Sequence, residues 1–146
     1  MRGKGAVFIM SSSHEIHEAP GNISTASENY LEVIYELSQA GNPVRSVEVA
    51  KRMGVSKASV NKAIGVLRGV GLVEQELYGS IELTPEGLER AKEVMQRHQT
   101  IKRFLIEILG IDEQTADDDA CRMEHVVSEK TMRAWSDYVS KELSWM

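Results

Sequence analysis

Apolar positions recur along this chain with two different periods. From Thr25 the spacing of Leu31, Ile34 and Leu37 sets a helical stripe, with Thr25 and Glu28 at capping-box separation and Gly41 closing the run. Two short segments follow. Ser46 is expected to cap one that turns Val47, Ala50 and Met53 inward and stops at Gly54. Ser56 is expected to cap the next, with Val60, Ile64 and Leu67 inward and Gly69 and Gly71 past its end. Short helices joined at Gly54-Val55 have the spacing of a helix-turn-helix. After Gly71 the period shortens, and residues 72–76 and 80–83 alternate around Tyr78-Gly79, which predicts a β-hairpin. Thr84-Pro85 then supplies an N-cap and a first-turn proline. The helix it opens is expected to run to about Leu109, with Leu88, Ala91, Met95, His98, Ile101, Leu105 and Ile108 inward. Helices over roughly 112–126 and from Ser128, the latter carrying Met132, Trp135 and Val139 on one side, complete the order.

The fold class predicted is mostly α, a winged helix-turn-helix DNA-binding domain over 24–86 followed by an all-helical dimerisation domain over 87–146. Residues 1–23 have no sustained period and contain Ser11-Ser12-Ser13 and Pro20-Gly21, the pattern of a flexible N-terminal tail. The helical second half is too small for an independent core. Pairing with a second copy meets that need, and a two-fold homodimer also matches two-fold DNA sites.

Composition narrows the function. Aromatics are only 5% of the 146 residues, which disfavours a dense β-sandwich. The longest apolar run, 6–10, is far too short for a membrane span or a signal-peptide core. One cysteine, Cys121, excludes an intrachain disulfide framework and points to a reducing cytoplasm. The net charge of −5 conceals an asymmetry. Residues 43–70 hold six basic side chains (Arg45, Lys51, Arg52, Lys57, Lys62, Arg68) against Glu48 alone, whereas 107–129 hold eight acids against Arg122. One surface suits a polyanion and the other attracts cations.

The basic segment begins its second helix with Ser56, Lys57, Ala58, Ser59, Asn61 and Lys62 outward, as a recognition helix requires for double-stranded DNA. Asn61 suits a base edge, Ala58 allows close approach, and Lys57, Lys62 and Arg45 suit phosphates. The wing near Tyr78 to Ser80 would follow the neighbouring backbone. In the acidic segment Cys121, Glu124 and His125 stand at i, i+3 and i+4, placing three metal-ligand types on one helical face. His98 is a further candidate on the long helix; Glu28, Asn29 and Glu32 near the first helix's start carry no signal alone. Cys121 falls mid-helix with no glycine-rich loop to supply an oxyanion hole, and HExxH, Walker A and GxSxG are absent. An enzyme is therefore not expected.

Over 27–143 the chain resembles the diphtheria toxin repressor and manganese transport regulator family of metal-dependent transcriptional repressors. The likeness is carried by Glu28-Asn29-Tyr30-Leu31-Glu32-Val33-Ile34-Tyr35-Glu36-Leu37, Gly71-Leu72-Val73, Leu83-Thr84-Pro85-Glu86-Gly87, Arg97-His98 and Asp119-Ala120-Cys121-Arg122-Met123-Glu124-His125-Val126-Val127-Ser128. The resemblance implies a homodimer on palindromic operator DNA that controls metal-uptake genes, with a divalent metal bound between the two halves. It also implies that Asn29, Glu32, His98, Cys121, Glu124 and His125 occupy ligand positions, Asn29 where the family has Met or Asp. The set is a hybrid of iron-type Cys121 and manganese-type Glu32. A thiolate favours Fe(II), Co(II), Ni(II) or Zn(II) over Mn(II); cellular availability ranks Fe(II) first and Mn(II) second, with Co(II), Ni(II) or Zn(II) able to substitute in vitro.

Lys102 stands where iron-type members have an ancillary-site carboxylate, and Asp117 replaces a histidine there, so a full ancillary site is not expected. Nor is the SH3-like third domain of longer members. Two other readings remain open. One is a metal-independent winged-helix regulator sensing redox through Cys121; the other is a protein-interaction scaffold with a structural metal.

Overall fold

In the computed structural model the described residues are 23–76 and 79–143. They form α1 (Thr25–Gln39), α2 (Ser46–Met53), α3 (Lys57–Gly69), β1 (Val73–Gln75), β2 (Ile81–Leu83), α4 (Pro85–Glu107), α5 (Glu113–Met123) and α6 (Glu129–Leu143). The expected order of elements is therefore the observed one. Tyr78 at the wing tip and the expected tail, apart from Ile23, lie outside the described residues; Ile23 packs against the first core.

Local chemistry sets the boundaries. Ser24, one residue before the expected cap, closes the start of α1 by accepting from the Ser27 N–H. Ser56 and Thr84 cap α3 and α4 as expected, each accepting from a backbone N–H three residues on. Gly54 adopts φ +69° in the turn between α2 and α3, a left-handed conformation that a side chain would strain. Helix α2 departs from its expected phase. Arg45, not Ser46, is its N-cap, with the Glu48 carboxylate accepting the Arg45 N–H at 2.9 Å. Ser46 and Val49 turn inward and Val47 is left exposed. Burial of Ser46 is tolerated because its hydroxyl donates to Asn61 Oδ1 on α3 at 3.0 Å.

Two cores result. The larger gathers Leu31, Ile34, Val49, Val60, Ile64, Leu67 and Ile81 among others, and the smaller gathers Ile101, Leu105, Ala116, Ala120 and Met132. The strands pair antiparallel with Val73 opposite Leu83 and Gln75 opposite Ile81, and Ile81 also bonds the Val44 carbonyl at 2.7 Å. Helix α4 joins both cores. It buries Val94, Ile101 and Leu105; Met95, expected inward, is only half-buried, while the His98 side chain, also expected inward, keeps 12% exposure.

The wing is locked to the start of α4. Thr84 donates its hydroxyl to the Gly71 carbonyl at 2.7 Å while its N–H bonds the Leu72 carbonyl at 3.1 Å. Gly87 follows, and a Cβ there would lie 1.9 Å from the Leu72 oxygen. Gly87→Ala is therefore expected to cost about 1–3 kcal/mol by overpacking and to lower the melting temperature by on the order of 5 °C. Gly65→Ala, in α3 with open space around it, is expected to leave the melting temperature unchanged or higher. Equal thermal melts for the two variants would contradict this packing.

Candidate metal centre and nucleic-acid interface

Three helices bring side chains together around α4, which packs against α1 on one side and α5 on another. Glu28 and Glu32 stand one turn apart on α1, His98 and Lys102 one turn apart on α4, and Asp117 and Cys121 one turn apart on α5. Fully buried Ala116 and Ala120 let α5 lie close against α4. Helix α5 ends at Met123, short of the expected 126, so Glu124 is its C-cap and His125 falls in the following turn. The Glu124 carbonyl accepts from the Arg97 guanidinium at 2.9 Å.

The Glu124 side chain has no solvent exposure. Its Oε1 lies 2.8 Å from His98 Nδ1 and its Oε2 lies 3.1 Å from His125 Nε2. Donor atoms of Glu32, His98 and Glu124 all fall within 4.8 Å of one another. The second nitrogen of each histidine meets another carboxylate: His98 Nε2 bonds Asp117 Oδ1 at 2.8 Å, and His125 Nδ1 bonds Glu28 Oε1 at 2.7 Å. Lys102 Nζ is 3.2 Å from the same Asp117 oxygen and 3.6 Å from Glu113.

Of the ligands expected from the resemblance, Glu32, His98 and Glu124 form the close set and His125 adjoins it through Glu124. Asn29 and Cys121 line the cavity of about 650 Å³ that opens beside Glu32 and His98, but Cys121 stands outside the close set. Glu28, passed over in the sequence, is part of the site. Its one-turn separation from Glu32 was the available signal, and only the fold brings in its partner.

The protonation states follow from these contacts. The hydrogen bond to Glu124, with Asp117 beyond it, outweighs burial and raises His98 to about 9. Burial pulls His125 down, yet the Glu124 and Glu28 carboxylates together carry it up to about 9. Burial also drives Glu32 up, and the neighbouring Glu124 carboxylate takes it to about 7. Against its own burial, Glu124 is held below the ordinary carboxylate range by His125 and His98. Desolvation of the Cys121 sulfur, followed by the charges of Glu124, Glu32 and Asp117, pushes that thiol up to about 11 although the residue is largely exposed. A thiol raised in this way gives no support to redox sensing through Cys121.

The donor set fits a divalent cation. Glu124 Oε2 and His125 Nε2 are buried without a hydrogen-bond partner, close together but not aligned for a bond. Two donors on one ion with bonds of about 2.1 Å lie roughly 3 Å apart, close to the 2.8 and 3.1 Å separations from Glu124 to the two histidines.

At the opposite end of the first half, Lys57, Ala58, Ser59, Asn61 and Lys62 are exposed over the first turns of α3, with Ser56 as its cap. Arg45, Lys57, Asn61, Arg68 and Gln75 line a groove of about 610 Å³ between α2, α3 and the wing. Arg68 and Gln75 join the residues expected there. Asn61 uses its amide oxygen on Ser46, which leaves its NH₂ group as the side able to donate outward.

Residues 22–81 match the model of the iron dependent repressor N-terminal DNA binding domain, and 84–141 match that of the iron dependent repressor metal binding and dimerisation domain. The chain belongs to the iron-dependent repressor family. The family is one of metal-dependent transcriptional repressors, not enzymes. Among relatives, the chain is 37% identical over 120 residues to an uncharacterized HTH-type transcriptional regulator of Methanocaldococcus jannaschii, covering 82% of this chain and 96% of that one. It is 37% identical over 114 residues to the transcriptional regulator MntR of Escherichia coli, 78% of this chain and 73% of that one. It is 36% identical over 107 residues to the diphtheria toxin repressor of Corynebacterium glutamicum, 73% of this chain and 47% of that one. A solved manganese-dependent transcriptional repressor complexed with manganese superposes with a TM-score of 0.71 at 29% identity, over 78% of this chain and 52% of that one. The chain thus spans about half the length of the diphtheria toxin repressor and of that solved repressor. Among the described residues no helix is long and apolar enough to cross a membrane.

The two histidines, raised from 6.5, stabilise the metal-free fold fully below pH 6.5 and lose that contribution as pH rises through about 9. Glu32, raised from 4.5, acts in the same direction between 4.5 and about 7. Glu124 and Asp117, held low, lose their contribution only on acidification and do not offset this. The melting temperature under chelator is expected to fall between about pH 5 and pH 9. A flat or rising profile over that window would contradict the network.

Proposed function

We propose that this chain is a repressor of metal-uptake genes whose binding to palindromic operator DNA, as a homodimer, depends on a divalent transition metal. The observation that carries the reading is the origin of the close donor set. Glu32 lies in the segment matched as DNA binding, whereas His98 and Glu124 lie in the segment matched as metal binding. Glu32, His98, Glu124 and His125 would hold the ion, with Asn29 and Cys121 in reach along the same cavity. A bound divalent ion supplies positive charge to a site rich in carboxylates. Donors from both halves meet in one relation of α1 to α4 and α5, so metal affinity and that relation are thermodynamically linked.

Fe(II) and Mn(II) are the ions of choice. Iron leads if Cys121 ligates, since thiolate is the soft donor; the nitrogen and oxygen donors of the close set suit manganese equally. The exposed first turns of α3, with Arg45 and Lys57 beside them, would meet the major groove and its phosphates. Exposed Leu109 and Tyr138 in the helical half offer apolar surface to a second copy. The protein would act in the cytoplasm, where its operator lies.

Fluorescence anisotropy on a labelled palindromic promoter duplex, at fixed salt, tests this reading. Tight binding is expected with Mn(II) or with anaerobic Fe(II), and weak binding with chelator. Lys57→Ala is expected to weaken duplex binding and reduce the salt slope by about 1 while leaving metal affinity unchanged. Duplex affinity indifferent to metal would overturn the proposal.

A further inference from the structure

The hydrogen bond between Glu28 Oε1 and His125 Nδ1 joins residues 97 positions apart, across the boundary between α1 and the end of α5. Both side chains are largely withdrawn from water, at 15% and 2% exposure. The other Glu28 oxygen faces Arg90 of α4 at 3.9 Å, so the carboxylate is held from two sides. A neutral imidazole carries one N–H, and a carboxylate at one nitrogen keeps the hydrogen there. In His125 the opposite nitrogen, Nε2, is buried without a hydrogen-bond partner and lies 3.1 Å from Glu124 Oε2.

We infer that Glu28 is the positioning residue of the site: it fixes the Nδ1–H tautomer of His125 and so presents Nε2, beside Glu124, to the cation. The inference rests on the metal-binding reading of His125 proposed above. It adds a second tie between α1 and the metal centre besides Glu32. Because Glu28 would act through the ring and not on the ion, an uncharged acceptor of the same shape can replace it.

The test compares wild type, Glu28→Ala and Glu28→Gln, using Zn(II) as a diamagnetic probe. Zinc affinity is read by competition with a chromophoric chelator, and the His125 ring by ¹⁵N-histidine NMR. Glu28→Ala is expected to weaken zinc binding about 10–100-fold and to lose the protected Nδ1–H signal. Glu28→Gln, whose amide oxygen still accepts from Nδ1, is expected to restore the signal and most of the affinity. Unchanged zinc affinity in Glu28→Ala, or equal losses in both variants, would overturn the inference. Zinc binding absent from wild type would overturn the metal-binding reading itself.

Discussion

A carboxylate removed from water must be met by positive charge or take up a proton. Glu124 has no exposure; two histidines face its oxygens, and the Glu32 carboxylate crowds it further. The histidines satisfy it imperfectly, because Oε2 and the facing His125 nitrogen remain without hydrogen bonds. Desolvating an ion costs on the order of several kcal/mol, recovered only with good geometry. The site is therefore built around a charge that demands a cation. In the metal-free chain the protons on His98 and His125 fill that role.

The placement of this carboxylate joins donors from both halves of the chain, as the proposed function requires. Helix α4 runs through both cores, so its His98 and Lys102 stand at the junction of the two halves. Helix α1 brings Glu28 and Glu32 to the same junction while Leu31 and Ile34, on its buried side, pack into the core that carries α3. In the proposed function, a charge that fills the junction would bear on the body that presents the basic groove. Lys102, which the resemblance places where iron-type members have an ancillary-site carboxylate, pairs its ammonium with Asp117.

The fold was largely legible in the sequence because its signals are local. Ser56, Thr84-Pro85 and Gly54 act within a few residues of themselves, and Val60, Ile64 and Leu67 turn inward as their spacing requires. Helix α2 was misphased because burial of Ser46 depends on Asn61, fifteen residues away on another helix. The candidate site was partly legible: spacing alone pointed to Cys121, Glu124 and His125, of which Glu124 joins the close donor set and His125 adjoins it. Where those side chains aim depends on α5 stopping at Met123, and Glu28 acquires its role only through a partner 97 residues distant.

The most direct measurement is the metal-induced shift in melting temperature of wild type beside Glu124→Gln at pH 8. The account predicts that Mn(II) raises the wild-type melting temperature well above its chelated value, through selective binding to the folded state. Glutamine, with similar shape and no charge, should abolish that rise. An equal rise in both proteins would show that the buried carboxylate is not what calls for the cation.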